Sequence, residues 1–194
     1  ESGIVGTAIG AAVNGLLPVV EIQFADFIYP AMNQIVSEAA RLRYRSNGEW
    51  GCPIVIRAPF GAGVHGALYH AQSVEAFFAH VPGLKVVCPA TPEDAKGLIV
   101  TAIEDPNPVL YFEHKHLYRR IKGEVPDERY TTPFGKARMH REGNDVTVVT
   151  WGAMVYTADE AAQRLEGEGL SVEILDLRPL QVFDPAGEPA LDPA

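Results

Sequence analysis

The sequence predicts an α/β protein: a larger unit around a mostly parallel sheet, then the beginning of a second α/β unit. Three observations predict it. Short β-branched apolar runs alternate with helix-length amphipathic segments from residue 2 to residue 112. A polar, turn-rich stretch over residues 114–145 interrupts that rhythm. A strand, a helix and a strand then follow over residues 146–177, too little chain for a core of its own. The expected division is therefore 1–130 and 131–194, with the second unit cut short.

The first element runs from Ser2 through GIVGTAIGAAVNG, a helix with Gly3, Gly6 and Gly10 along one side. Glycine weakens a helix by about 1 kcal/mol relative to alanine, so three of them imply close approach of a sheet or of a flat ligand. Asn14-Gly15 suits a left-handed helix end. Residues 18–27 form a buried-looking strand in which Glu21 and Gln23 must find partners or face a ligand. Pro30 opens a second helix with Met32, Ile35, Val36, Ala39 and Ala40 on one face. A turn at Ser46-Asn47-Gly48 leads to a strand over residues 53–57.

A glycine- and histidine-rich stretch follows, GAGVHGALYHAQSVEAFFAH over residues 61–80, carrying three of the six histidines. Ser73 is the expected cap for a helix over 74–80, and the next strand covers 84–88. Thr91-Pro92-Glu93-Asp94 is a strong helix start, with a hydroxyl cap, proline at the first helical position and an acid three after the cap. That helix turns Leu98, Ile99, Ala102 and Ile103 inward and stops at Asp105-Pro106-Asn107-Pro108, before a strand over 109–112.

A net charge of −9 excludes a nucleic-acid surface, which needs concentrated positive charge, and the short basic cluster at Arg41, Arg43 and Arg45 does not reverse that. Cys52 and Cys88 form neither a C-x-x-C pair nor a disulfide framework, pointing to a reducing compartment. No apolar run reaches membrane-spanning length. The chain opens at Glu1, without methionine and already in a helix, and its last residues are proline-rich, so a longer protein is expected.

Several chemistries compete for the histidine loop. Gly61-Ala62-Gly63-Val64-His65-Gly66 matches G-x-G-x-x-G after a strand, but the acid expected about 20 residues on is missing, where the next strand ends at Cys88-Pro89-Ala90. Zinc ligation by His65, His70 and His80 fails on spacing, five and ten residues matching no ligand module. Cys88 has no nucleophile signature around it. His114, His116 and His140 fall in polar turns and are expected to be satisfied surface residues, and His80 a structural one. His70 lies past the end of a parallel strand, where open sheets present ligands and a histidine can move protons near neutral pH.

Five strings then stand in order: ESGIVGTAIGAA, EIQFADFIYPAMNQIVSEAARLRYRS, GVHGALYHAQSVEAFFAHVPGLKVV, TPEDAKGLI and AIEDPNPVLYFE. Together they resemble the beta subunits of thiamine-diphosphate-dependent 2-oxo acid dehydrogenases, the branched-chain (2-oxoisovalerate) branch above all, over residues 1–184. The resemblance implies a pyrimidine-binding domain followed by part of a transketolase C-terminal-like domain. It implies an alpha2-beta2 heterotetramer, the alpha subunit holding the diphosphate and magnesium, and a lipoyl-bearing acyltransferase as the acyl acceptor. No membrane or nucleic-acid partner is implied. The compartment would be cytoplasmic in a bacterium, the favoured case, or the mitochondrial matrix in a eukaryote.

The same resemblance assigns roles. Glu1 matches the glutamate that bonds the pyrimidine ring nitrogen, favouring the tautomer that can take a proton from the thiazolium carbon; such a group should be buried and raised in pKa. Phe27 matches the aromatic position that packs on the pyrimidine, often tyrosine in branched-chain relatives. Gln23, read as lying on Phe27's side of one strand, is expected to line the pocket. His70 matches the entrance histidine, with Ala71 where serine often follows. Cys52, Ile54, Val55, Ala102, Asp105 and Asn107 match a structural potassium site made mostly of main-chain carbonyls. The alternatives are a pyruvate or acetoin dehydrogenase beta subunit, and a non-catalytic assembly piece.

Overall fold

The computed structural model describes residues 1–181. Helix α1, Ser2–Val13, ends in Gly15 at φ 89°, which allows the Gly15 and Leu16 amides to bond the carbonyls of Ala12 and Ala11. The left-handed residue is thus Gly15 and not Asn14. Strand β1 covers only Val19–Glu21. The chain then turns through 3₁₀ segments at Ala25–Phe27 and Tyr29–Ala31, a π-helical stretch at Asn33–Glu38, another 3₁₀ turn, and α2, Leu42–Arg45. The expected single helix from Pro30 is therefore a broken helical path. Its apolar residues still point inward, with Ile35 and Ala39 buried.

Strands β2, Val55–Phe60, β3, Lys85–Val87, and β4, Val109–His114, complete a four-stranded parallel sheet in the order β1-β2-β4-β3. Helix α3 is one short turn, Glu75–Ala79, and Ser73 does not cap it; Val74 occupies the cap position and no side-chain bond is made. Helix α4, Pro92–Glu104, has the expected cap, the Asp94 amide donating to Thr91 Oγ1 at 3.1 Å. Strand alternation divides the core. Ile56, Ala58, Phe60, Leu110 and Phe112 face α1 and the broken helical path, while Val55, Val109 and Tyr111 face Leu98 and Ala102 of α4.

The second sheet has the order β5-β7-β6, built from Arg138–Arg141, Val172–Asp176 and Val146–Thr150, with α5, Met154–Glu166, packed on it. Strands β6 and β7 are parallel and β5 is antiparallel. The two sheets are stitched together. The Cys88 amide donates to Arg178 O at 2.7 Å and the Leu180 amide to Val86 O at 2.8 Å, covering the open edge of β3. Trp151 Nε1 donates to Glu75, and the Arg178 guanidinium to Asp94. At this seam Asp176 is fully buried, and burial, outweighing the field of Arg138, pushes its pKa up to about 7.

Candidate active site

The site is assembled where β1, β2 and β4 end, at the carboxyl edge of the first sheet. Strand β4 terminates in His114, whose Nδ1 accepts the His116 amide and bends the chain into a 3₁₀ turn. Opposite, β2 runs into Gly61 and Gly63, both left-handed at φ 84° and 92°. A Cβ on Gly61 would sit 2.2 Å from His114 Nε2, and one on Gly63 2.5 Å from His116 Nδ1. The glycines are seats for two imidazoles. His114 and His116 do have polar partners, as expected, but they are half-buried against the glycine loop and not on the surface. Burial, then the neighbouring His116 and Lys115, lower the His114 pKa to about 4, so this imidazole is neutral at physiological pH.

Residues 61–72 form a closed loop, its ends joined by the Gly61 amide donating to Gln72 O at 2.9 Å. Asp26 holds the far end: the Ala71 and Gln72 amides both donate to its Oδ1 at 3.3 Å. Tyr29 donates to Gln72 Oε1 at 2.6 Å. Asp26 went unnoticed in the sequence, although a buried carboxylate inside an apolar run must find donors.

This bracing presents His70. Its ring meets the rings of Phe24 and Phe27 edge-on, with centroids 4.5 and 5.6 Å away. His70 Nδ1 lies 3.1 Å from Gly66 O, which can only accept; the neutral ring therefore carries its hydrogen on Nδ1 and leaves Nε2 as a base. Behind Phe24 stands Lys115, its ammonium 5.3 Å from the ring centroid.

The other expected residues fall as follows. Glu1 is half-buried at the head of α1 and makes no capping bond, which leaves its carboxylate for another partner. The Ser2 hydroxyl donates to Pro30 O, fixing the start of α1 three residues beyond Phe27. Gln23 is exposed, and because β1 stops at Glu21 and residues 25–27 form a 3₁₀ turn, strand alternation does not place it beside Phe27. His65 is exposed at φ 58° and His80 ends α3, so neither joins the ring cluster. Cys88 is wholly buried and its thiol is pushed well up by desolvation, an inert packing group.

Of the potassium set, Cys52 and Asn107 border one cavity at the opposite edge of the sheet. The Asp105 carboxylate is taken by the Lys85 ammonium and by Asn107, and Ile54 O accepts the Val109 amide. A cation there would rest on second lone pairs of main-chain carbonyls. Among the described residues no group of three or more His, Cys, Asp or Glu side chains gathers to hold a metal. No described helix is long and apolar enough to cross a membrane.

A parallel sheet carries the Phe24, Phe27 and His70 rings past its carboxyl ends, and Glu1 heads the helix that packs on the same side of the core. The chain belongs to the transketolase-type pyrimidine-binding family: residues 1–121 match the transketolase pyrimidine-binding domain, and 135–190 match the transketolase C-terminal domain. Among its relatives, the 2-oxoisovalerate dehydrogenase subunit beta of Bacillus subtilis is 60% identical over 95% of this chain and 56% of its own length. The pyruvate dehydrogenase E1 component subunit beta of the same organism is 50% identical, over 95% and 57%. The mitochondrial 2-oxoisovalerate dehydrogenase subunit beta 2 of Arabidopsis thaliana is 51% identical, over 95% and 52%. The chain thus spans about half the length of these relatives. In structure it is similar to a split-gene transketolase, an inactive beta4 tetramer, with a TM-score of 0.73 at 27% identity, covering 92% of this chain and 54% of that one.

Proposed function

We propose that this chain is the pyrimidine-binding domain, residues 1–130, and the start of the C-terminal-like domain, residues 131–194, of the beta subunit of a branched-chain 2-oxo acid dehydrogenase. The protein would oxidatively decarboxylate branched-chain 2-oxo acids and pass the acyl group to a lipoyl-bearing acyltransferase. The observation that carries the reading is the wall of Phe24, Phe27 and His70, with Glu1 heading α1 without a capping bond from its carboxylate. Greater identity to the 2-oxoisovalerate enzyme than to the pyruvate enzyme of one organism, 60% against 50%, favours the branched-chain substrate.

These residues fit the aminopyrimidine end of thiamine diphosphate: a flat aromatic face, and a carboxylate able to share a proton with a ring nitrogen. When bound, the cofactor supplies the carbon nucleophile and the electron sink for decarboxylation. Glu1 would orient the ring and hold that proton. Phe27 would pack on the ring, and Gln23 would border it. His70 Nε2 would take and return a proton at the entrance during acyl transfer. The diphosphate and magnesium would rest on an alpha subunit in an alpha2-beta2 assembly. The potassium set would serve the sheet's other edge and no chemical step.

The test uses the full-length beta subunit assembled with its alpha-type partner, thiamine diphosphate and magnesium. Glu1→Gln is expected to lower decarboxylation of 2-oxoisovalerate by about 100-fold or more. Unchanged turnover by Glu1→Gln would overturn the mechanism, and faster turnover of pyruvate than of 2-oxoisovalerate by the wild type would overturn the branched-chain assignment.

A further inference from the structure

Lys115 is only 9% exposed, and its Nζ has no hydrogen-bond partner among the described residues. Lysine normally threads its charge to water along its flexible stem, because burying an unpaired ammonium costs several kcal/mol. Here it does not. The ammonium stands over the Phe24 ring, where the negative face of the ring offsets part of the cost. Asp26 acts on it at longer range, but that carboxylate is already bonded to the Ala71 and Gln72 amides. On its other sides Phe24 meets Phe27 and His70. His114 is neutral at physiological pH, and the His116 Nδ1 lies 3.3 Å from Gly63 O. Burial lowers the Lys115 pKa and the Asp26 charge opposes that, and among the described residues of this wall Lys115 is the one lysine or arginine.

We infer that Lys115 is a positioning residue for the carboxylate of the 2-oxo acid, acting through the Phe24 ring. The inference rests on the function proposed above. A 2-oxo acid brings one negative charge next to the carbonyl that reacts, and that charge leaves its carboxylate as carbon dioxide forms. A direct ion pair would hold the carboxylate in place and oppose its loss. A cation held one ring away attracts the substrate without gripping it, so its contribution is to binding and not to the barrier.

The experiment compares wild type, Lys115→Met and Lys115→Arg in the assembled complex with 2-oxoisovalerate, at low and high salt. Lys115→Met should raise KM about tenfold at low salt while kcat stays within about twofold. Lys115→Arg should restore KM to within about threefold. Calorimetry of the cofactor-free complex with the non-reacting 2-hydroxy analogue should show the same tenfold weakening. Should Lys115→Met fail to assemble, Lys115→Gln is to be judged by the same two measurements. An active wild type with KM unmoved by the substitution overturns this inference alone, as does equal damage from Met and Arg. A wild-type complex inactive on every 2-oxo acid overturns the function proposal beneath it.

Discussion

Two runs of three glycines sit in this chain, and the structure explains them in opposite ways. On α1, a Cβ added to Gly3 or Gly10 meets nothing within 4 Å, and one on Gly6 touches only Gln34 at an ordinary 3.9 Å. In the loop, Gly61, Gly63 and Gly66 each back onto a histidine, His114, His116 and His70, at 2.2 to 2.5 Å. Composition alone cannot separate the two cases. Gly61 and Gly63 are fixed by side chains that arrive from a distant strand end and Gly66 by its near neighbour His70, so their cause lies inside this chain. The helix glycines leave an open face flanked by exposed Ile4 and Val13, and nothing among the described residues accounts for them.

The comparison can be broken at the loop first. Gly61→Ala forces a non-glycine residue to φ 84° and drives a methyl into the His114 ring, so a loss of about 3 kcal/mol in unfolding free energy is expected. Denaturant titration measures it. Adding His114→Ala should return the steric share of that loss and leave the backbone share; a purely additive double mutant would show that the ring is not what Gly61 accommodates.

His114 gives the next effect. Its folded pKa of about 4 lies below the ordinary 6.5, so between those values the unfolded chain binds more protons than the folded one. Stability is therefore expected to rise with pH across this window, and to be lost on acidification towards pH 4. The contribution is at most about 3 kcal/mol, and His114→Gln should flatten the slope over that range. An identical slope in both proteins would assign the acid sensitivity elsewhere.

The smallest change is at the helix. Gly10→Ala should stabilise this chain by about 0.5–1 kcal/mol, because alanine is the better helix former and finds open space. A thermal midpoint that falls instead would mean that some part of the chain closes over that face.

Much of the fold was legible because its causes are local. The cap at Thr91, the stop at Asp105-Pro106 and the alternation in β2 and β4 are each written within a few residues. The path from Phe24 to Arg45 was not. Its apolar period is helical, yet 3₁₀ and π turns interrupt it where the chain bends to keep Asp26 under the loop and Ile35 in the core. In the site, His70 was legible from its place past a strand end. Asp26, His114 and Lys115 were not, because the loop amides, the glycine seat and the Phe24 ring they meet lie far away in sequence.

The edge of β3 has a consequence for how the molecule comes into being. Residues 86–88 receive their covering partners from residues 178–180, about 90 positions later in the chain. A ribosome adding about 5–20 residues per second leaves that strand edge open for several seconds. During that interval the nascent first sheet is a template for foreign strands. The seam that joins the two units is thus also the stopper that ends the period of greatest risk, and a substitution that loosens it should show first as aggregation during synthesis.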